Sequence, residues 1–112
     1  IIDEEHNIED QITELFSIEN PPDGVFGVNE IYAAICMKIA NKKGLRIPED
    51  ISILGFTDGL ISQYTTPSLS TVAQHGYHIG QKSAELLLNE IEFQDTDYQY
   101  KTKIIETDLI LR

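Results

Sequence analysis

Apolar residues recur at helical spacing in three stretches of the chain, and each stretch predicts an amphipathic helix. The first covers residues 8–18. The second begins after Asn29, a favourable N-cap residue, and ends at residues 42–44, Lys-Lys-Gly. There the cations lie at the negative helix end and the glycine can adopt the left-handed conformation. The third helix is expected over residues 76–91.

Short apolar runs without polar alternation separate the helices and predict strands that are buried on both faces. The runs cover residues 25–28 and 51–56. Residues 70–73 predict a short extended segment, and 103–106 and 109–111 predict terminal strands. Polar residues fill 57–69 and 94–101, which therefore predict connections. An alternation of helices with buried strands indicates an α/β fold in which helices pack on a parallel sheet.

Polar side chains follow two of these strands at the edge where α/β proteins bind ligands. Asn29 comes directly after the run that ends at Val28, and Thr57 and Asp58 follow the run that ends at Phe56. If the strands are neighbours, these side chains face one crevice beyond their carboxyl ends. An amide, a hydroxyl and a carboxylate together can bind a polyol. Two interpretations stay open: Asn29 only caps its helix, and Thr57-Asp58 only begins a turn.

The composition limits the class of protein. The chain has 112 residues, enough for one domain at most, and its formal charge of −11 disfavours direct binding of DNA or RNA. The longest apolar run is too short to span a bilayer, so no membrane partner is expected. The single cysteine excludes an intrachain disulfide. Because Met37 is the only methionine, we expect the chain to be part of a longer protein.

The remaining reactive side chains give little support for catalysis, a cofactor or a metal. His75 and His78 are three residues apart, but they lack a third ligand at a typical spacing. Cys36 lies inside an apolar helix stripe, which indicates a buried thiol. The sequence contains neither a nucleophile-elbow motif nor a glycine-rich phosphate loop. We therefore expect a protein that is not an enzyme and carries no cofactor.

Three blocks of sequence, in order, resemble the lac repressor/galactose repressor family of bacterial transcription regulators. They are residues 22–30 (PDGVFGVNE), 44–58 (GLRIPEDISILGFTD) and 66–74 (TPSLSTVAQ). The resemblance implies a fragment of a two-lobed effector domain with the type I periplasmic-binding-protein-like fold. The whole of 1–112 would belong to the C-terminal lobe, with helix 76–91 packing on an absent N-terminal lobe and a DNA-binding headpiece also absent.

The resemblance also implies residue roles. Asn29 would contact an effector, with Glu30 in place of the family's usual aspartate. Thr57 stands where the family places an aspartate on sugar hydroxyls, so only Asp58 retains the acid of that turn. Gln74 would line the cleft between the lobes. A threonine hydroxyl accepts more weakly than a carboxylate, so the effector would be bound differently or be less richly hydroxylated.

Members of the family dimerise, and the resemblance implies a homodimer face on the helix at 31–43 and the loop at 59–66. Its candidate residues are Ile31, Ala34, Ile35, Lys38 and Tyr64. The alternative is that Ile35 and Ile39 only form the core stripe of the helix. The implied function is sugar sensing in a cytoplasmic DNA-binding regulator, and the alternative is a periplasmic sugar-binding protein of a transporter.

Overall fold

A computed structural model describes residues 7–92, 99 and 101–112 of the chain. It contains two compact units. The first combines the residues up to Ala73 with the terminal Leu109–Arg112, and the second comprises Gln74–Asp108. Among the helices of this described part, none is both long and apolar enough to cross a membrane.

A sheet with three parallel strands and a fourth beside them organises the first unit. Its strands are β1 (Gly24–Gly27), β2 (Ser52–Phe56), β3 (Ser70–Ala73) and β4 (Asp108–Ile110), in that spatial order. β1 pairs in parallel with β2, and β2 pairs in parallel with β3, as the alternation of helices and strands predicted. The Arg112 amide donates to Ser70 Oγ at 3.0 Å, so the end of β4 lies beside the beginning of β3 and β4 runs antiparallel to it.

Helix α1 (Ile8–Leu15) opens the described chain and is three residues shorter than the apolar pattern predicted. Asn7 caps it, with its side chain accepting from the Glu9 amide at 3.2 Å. Ile12 and Phe16 are buried in the core. Because α1 packs against the second helix rather than on the sheet, its one apolar stripe is sufficient to fix it.

Helix α2 (Glu30–Lys42) packs across β1 and β2 and supplies half of the buried core residues. Gly44 follows with a φ of +74°, and the Leu45 amide donates to the Ala40 carbonyl at 3.0 Å, so the predicted glycine-terminated end is confirmed. Gly27 allows β1 to approach α2, because a Cβ there would lie 2.7 Å from the Ala33 amide nitrogen. The buried core consists of Ile12, Phe16, Ala33, Cys36, Met37, Ile39, Ala40, Ile51, Ile53 and Leu69.

The opposite face of the sheet is more open than the sequence predicted. Phe26 is 54% exposed and Val28 is 66% exposed, whereas both were expected in a strand buried on both faces. Phe26 packs edge to face on Phe56, with ring centroids 6.2 Å apart. The reason is that α1 and a short third helix pack on α2, and α2 covers only one face of the strands.

The predicted loop over residues 57–69 contains that short helix, α3 (Leu60–Tyr64). Ser62 is fully buried within it, and its hydroxyl donates to the Gly59 carbonyl at 2.7 Å. The Leu69 amide donates to the Ser62 carbonyl at 2.8 Å and ties the helix to the segment that enters β3. A helix of one turn shows too little periodicity for a pattern to reveal it.

Helix α4 (Gly76–Glu92) forms most of the second unit, close to the predicted 76–91, and none of its residues is buried. Residues 103–106 do not form the predicted strand, and only Asp108–Ile110 is extended in the terminal region. Of the predicted connection 94–101, residues 94–98 and 100 lie outside the described part of the chain.

Candidate functional site

The ends of β1 and β2 place two of the candidate ligand residues side by side. Gly27 pairs with Gly55 in the parallel register. Asn29 and Thr57 each follow two residues later, so both leave the sheet at the same edge. This is the edge at which open α/β sheets bind ligands. The condition set by the sequence analysis, that the two strands be neighbours, is therefore met.

Asn29 acts as the N-cap of α2. Its backbone is extended, and its Oδ1 accepts from the Tyr32 amide at 2.9 Å. The cap uses the carbonyl oxygen of the side chain, which leaves the amide NH2 as the group suited to donate to a ligand. The structure confirms the capping role, while a ligand contact by the half-buried Asn29 stays a prediction.

Glu30 connects the two strand ends, a role that the sequence analysis did not foresee. Its Oε2 accepts from the Ser62 amide at 3.3 Å. Its carboxylate also packs closely on Gly59, so that a side chain at position 59 would have to displace it. The beginning of α2 is thus held against the beginning of α3. The replacement of a short aspartate by a longer glutamate was the available signal, because the longer side chain can reach the neighbouring turn.

Thr57 has an unusual backbone conformation for its residue type. Its φ is +81°, a region that β-branched residues rarely occupy because of steric conflict with the Cβ. Its amide donates to the Val72 carbonyl at 3.0 Å, which continues the contact between β2 and β3 by one residue. Strained residues of this kind persist only where the surroundings hold them, and they are frequent at ligand sites.

The Asp58 carboxylate is contacted by three side chains, of which two are distant in the sequence and one, Ser62, is local. Its Oδ1 lies 2.8 Å from an Arg112 guanidinium nitrogen and 2.8 Å from Thr71 Oγ1, which donates to it. Ser62 Oγ is 3.2 Å away. The Arg112 guanidinium, followed by the Thr71 hydroxyl, holds the pKa of the Asp58 carboxyl below its ordinary value. The side chain is therefore engaged by the protein itself rather than by a local turn alone.

Gln74 is half-buried and comes directly after β3, as the first residue of the second unit. Its predicted role in a cleft between lobes stays a prediction.

The first unit also contains a cavity of about 600 Å3 at the other end of the strands. It is lined by residues that begin them, such as Gly24, Ser52 and Ser70, and by apolar side chains including Phe26 and Leu54. Its lining does not include Asn29, Thr57 or Asp58. Because polar groups that can orient a ligand lie at the carboxyl edge, we place the candidate site there and not in this cavity.

The other candidate residues fall outside this site. In the second unit, His75 Nε2 lies 2.9 Å from Asp108 Oδ2. His78 lines the same cavity, of about 460 Å3, as this pair. Within residues 7–92, 99 and 101–112, no three histidine, cysteine or acidic residues lie close enough to hold a metal ion. Cys36 is buried as predicted, and burial raises the pKa of its thiol.

The predicted dimer residues have mixed exposure. Ile31 is 54% exposed and Tyr64 is 81% exposed, whereas Ile35 is partly buried against the core. Ala34 is half-buried. Lys38 is exposed and forms an ion pair with Glu9. Ile39, which was predicted to lie in the core stripe of the helix, is buried at 3% exposure. The structure thus leaves Ile31, Lys38 and Tyr64 accessible to a partner.

Parallel strands, covering helices and a polar carboxyl edge are the features of an α/β domain of the periplasmic-binding-protein-like type. The family described as periplasmic binding protein-like domain matches residues 2–112, and the chain belongs to this family. The resemblance to lac-repressor-type regulators is likewise confirmed by the relatives.

A probable HTH-type transcriptional repressor, ExuR of Bacillus subtilis, is 40% identical over 99 residues, covering 88% of this chain and 29% of its own length. A LacI family regulator of Enterococcus faecium, solved with bound ribose, is 30% identical with a TM-score of 0.79, covering 94% of this chain and 38% of that one. The dimeric lac repressor is 25% identical with a TM-score of 0.83 and the same coverage. The chain spans less than a third of the length of the curated relatives it matches.

Proposed function

We propose that this chain is the effector-sensing part of a bacterial DNA-binding transcriptional regulator. The observation that carries the proposal is the shared edge at which Asn29 and Thr57 leave neighbouring parallel strands, in a chain of this family. The relatives described above are transcriptional regulators, which favours this function over a periplasmic component of a transporter. The protein acts in the cytoplasm, binds DNA through a headpiece outside these residues and performs no catalysis.

The effector is a sugar or a similar small molecule, by analogy with the Enterococcus faecium relative that was solved with ribose. Asn29 donates through its amide NH2, Thr57 contributes a hydroxyl, and Gln74 is a further residue of the cleft, as the family resemblance implies. Sites of this kind select ligands because an analogue without the matching hydroxyl leaves a buried polar group unpaired. A hydroxyl at position 57 favours an effector that needs fewer strong acceptors than a carboxylate would supply.

Binding acts as a switch only if the closed arrangement of the two lobes holds the effector more tightly than the open one. An effector with equal affinity for both arrangements would leave the DNA-binding state unchanged. The difference in affinity is supplied by residues from both walls of the cleft. These 112 residues alone should therefore bind the effector poorly, because one wall belongs to the missing part of the protein.

The proposal is tested on the intact protein with a panel of sugars that begins with D-ribose, first by thermal shift and then by calorimetry. Asn29→Ala should weaken binding of the sugar that responds by about 1–3 kcal/mol, the cost of a lost buried hydrogen bond. Asn29→Ser keeps a good helix cap but removes the amide donor, so it should also bind weakly while remaining stable. Asn7→Ala is the matched control, because it removes the cap of α1 instead.

If Asn29→Ser binds the sugar as tightly as the unmodified protein, Asn29 is only a helix cap. If none of the sugars shifts the melting temperature, or if sugar binding leaves the affinity for operator DNA unchanged, the proposed function is wrong. An intact protein that enters the periplasm would instead support the transporter alternative.

We also propose that the protein is a homodimer that uses the face formed by Ile31, Ala34, Ile35, Lys38 and Tyr64. The dimeric lac repressor among its structural relatives supports this assembly. The exposure of Ile31 and Tyr64 provides apolar surface for it. Ile31→Glu should convert a dimer to a monomer in light scattering. Ile18→Glu, at a similarly exposed isoleucine beyond α1, should not. A dimer that survives Ile31→Glu would contradict this face.

A further inference from the structure

The last residue of the chain is fastened to the turn that follows β2. The Arg112 guanidinium contacts Asp58 Oδ1 at 2.8 Å and donates to the Leu69 carbonyl at 3.0 Å. The same nitrogen lies 3.2 Å from Thr71 Oγ1, which itself donates to Asp58. Both charged side chains are about four-fifths covered, at 20% and 21% exposure. Ion pairs that are shielded and share further hydrogen bonds are stronger than exposed pairs.

This cluster lies directly beside the strained residue of the candidate site. Thr57, with its φ of +81°, precedes Asp58 and is fixed on its other side by the bond from its amide to Val72. A β-branched residue leaves this conformation readily unless its neighbours are held. The carboxylate of the adjacent Asp58 is held by both Arg112 and Thr71.

We infer that Asp58 and Arg112 are positioning residues, whose ion pair holds the Thr57 backbone in the conformation that presents it to the effector. The part of this inference that concerns the effector rests on the function proposed above. Asp58 is then not a direct ligand contact, in contrast to the role that the family resemblance implies for the acids of this turn. Its carboxylate accepts from donors of the protein itself. Asp58 therefore contributes to the site by fixing the turn and not by offering its charge to the effector.

The chain connectivity gives the pair a second consequence. Arg112 follows Asp108, the last residue of the second unit, by only four positions. The segment that returns from the second unit is therefore connected to the turn at Thr57 and Asp58 through the ion pair of Arg112 with Asp58. A shift of that returning segment would reach Thr57 through Arg112 and Asp58.

The positioning role is tested without any ligand by amide hydrogen exchange of the intact protein, resolved to single residues by mass spectrometry. Arg112→Gln and Asp58→Asn should each accelerate exchange of the Thr57 amide by about tenfold or more, while the amides of β2 keep their rates. Arg112→Lys keeps a cation and should restore much of the protection. Arg46→Gln is the matched control, because it breaks another arginine–aspartate pair, with Asp50, outside this turn.

Unchanged exchange at Thr57 in both variants would overturn the inference. Uniform acceleration throughout β2 would overturn it as well, because the pair would then support the fold in general. Local acceleration that Arg112→Lys reverses supports it.

The effector arm uses calorimetry with the sugar that binds in the panel, D-ribose being the first probe. Arg112→Gln and Asp58→Asn should weaken binding by similar factors, about tenfold, and the double variant should be no weaker than either single one. A loss confined to Asp58→Asn would make Asp58 a direct ligand and overturn the inference. If no sugar binds the unmodified protein, the proposed function fails, and the exchange experiment alone decides whether the pair positions Thr57.

Discussion

The two units of the chain differ in what stabilises them. The first buries a continuous apolar core between α2 and the sheet, with α1 packed behind it. The second presents a helix of 17 residues in which no residue is buried, and Leu87, Leu88 and Ile91 are each more than half exposed. The first unit therefore carries its own source of stability. The second has an apolar surface that is exposed in the described chain, and the packing of α4 on an absent lobe stays a prediction.

The largest expected effect contrasts a buried side chain of the first unit with an exposed one of the second. Ile51→Ala removes a side chain that is 1% exposed and should lower the free energy of unfolding by about 2–5 kcal/mol. Leu88→Ala, at 59% exposure, should change it by less than about 0.5 kcal/mol in this chain. Urea unfolding followed by circular dichroism measures both. Equal costs would contradict the contrast, and a large cost for Leu88→Ala in the intact protein would show that α4 is covered there.

A second contrast uses glycines. Gly27→Ala places a methyl group against the Ala33 backbone and should destabilise the first unit by about 1–3 kcal/mol. A Cβ at Gly80 in α4 would have no neighbouring atom within 4 Å. Gly80→Ala should therefore stabilise that helix by about 0.5–1 kcal/mol, because alanine is a better helix former than glycine. Thermal unfolding and helix content show whether Gly27→Ala lowers the stability and Gly80→Ala raises it. A stabilising Gly27→Ala would mean that β1 and α2 are less closely packed than described.

The smallest expected effect is a loss of stability in acid that comes from the first unit. The pKa of Asp50 is lowered from 3.8 to about 2 by hydrogen bonds from Arg46, and the pKa of Asp58 is lowered by Arg112 and Thr71. Both pKa values are lower in the folded state than in the unfolded state. The two carboxylates therefore make their full contribution to the free energy of unfolding above the unfolded pKa. It is lost as the pH falls through the folded one. The urea midpoint should therefore decrease below about pH 4, and less steeply in Asp58→Asn. An unchanged slope in that variant would contradict the pairing of Asp58.

The sequence predicted those parts of the fold whose signals are local. Asn29 at the beginning of α2 and Gly44 after its end were both identified, because a cap depends on one side chain and its nearest backbone. The parallel pairing followed from the order of helices and strands. The shared edge of Asn29 and Thr57 followed in turn from that pairing.

The rest of the candidate site depends on contacts between distant segments, which a pattern along the chain does not contain. The ion pair of Asp58 with Arg112 joins a turn in the middle of the sequence to its last residue. The contact of Glu30 with the beginning of α3 likewise joins separate elements. The exposure of Phe26 could not be predicted either, because an apolar residue in a strand looks the same whether or not a second layer covers it.

The uncovered side of the sheet has a practical consequence for handling the protein. In the described part of the chain β1 is an edge strand, Phe26 lies exposed on it, and the exposed Val28 follows it directly. Edges of this kind recruit further strands from other molecules and promote aggregation. The net charge of −11 opposes such encounters through mutual repulsion at neutral pH. Colloidal stability of the 112-residue chain should therefore decline in concentrated salt, which screens that repulsion, and near the isoelectric point of about 4.4.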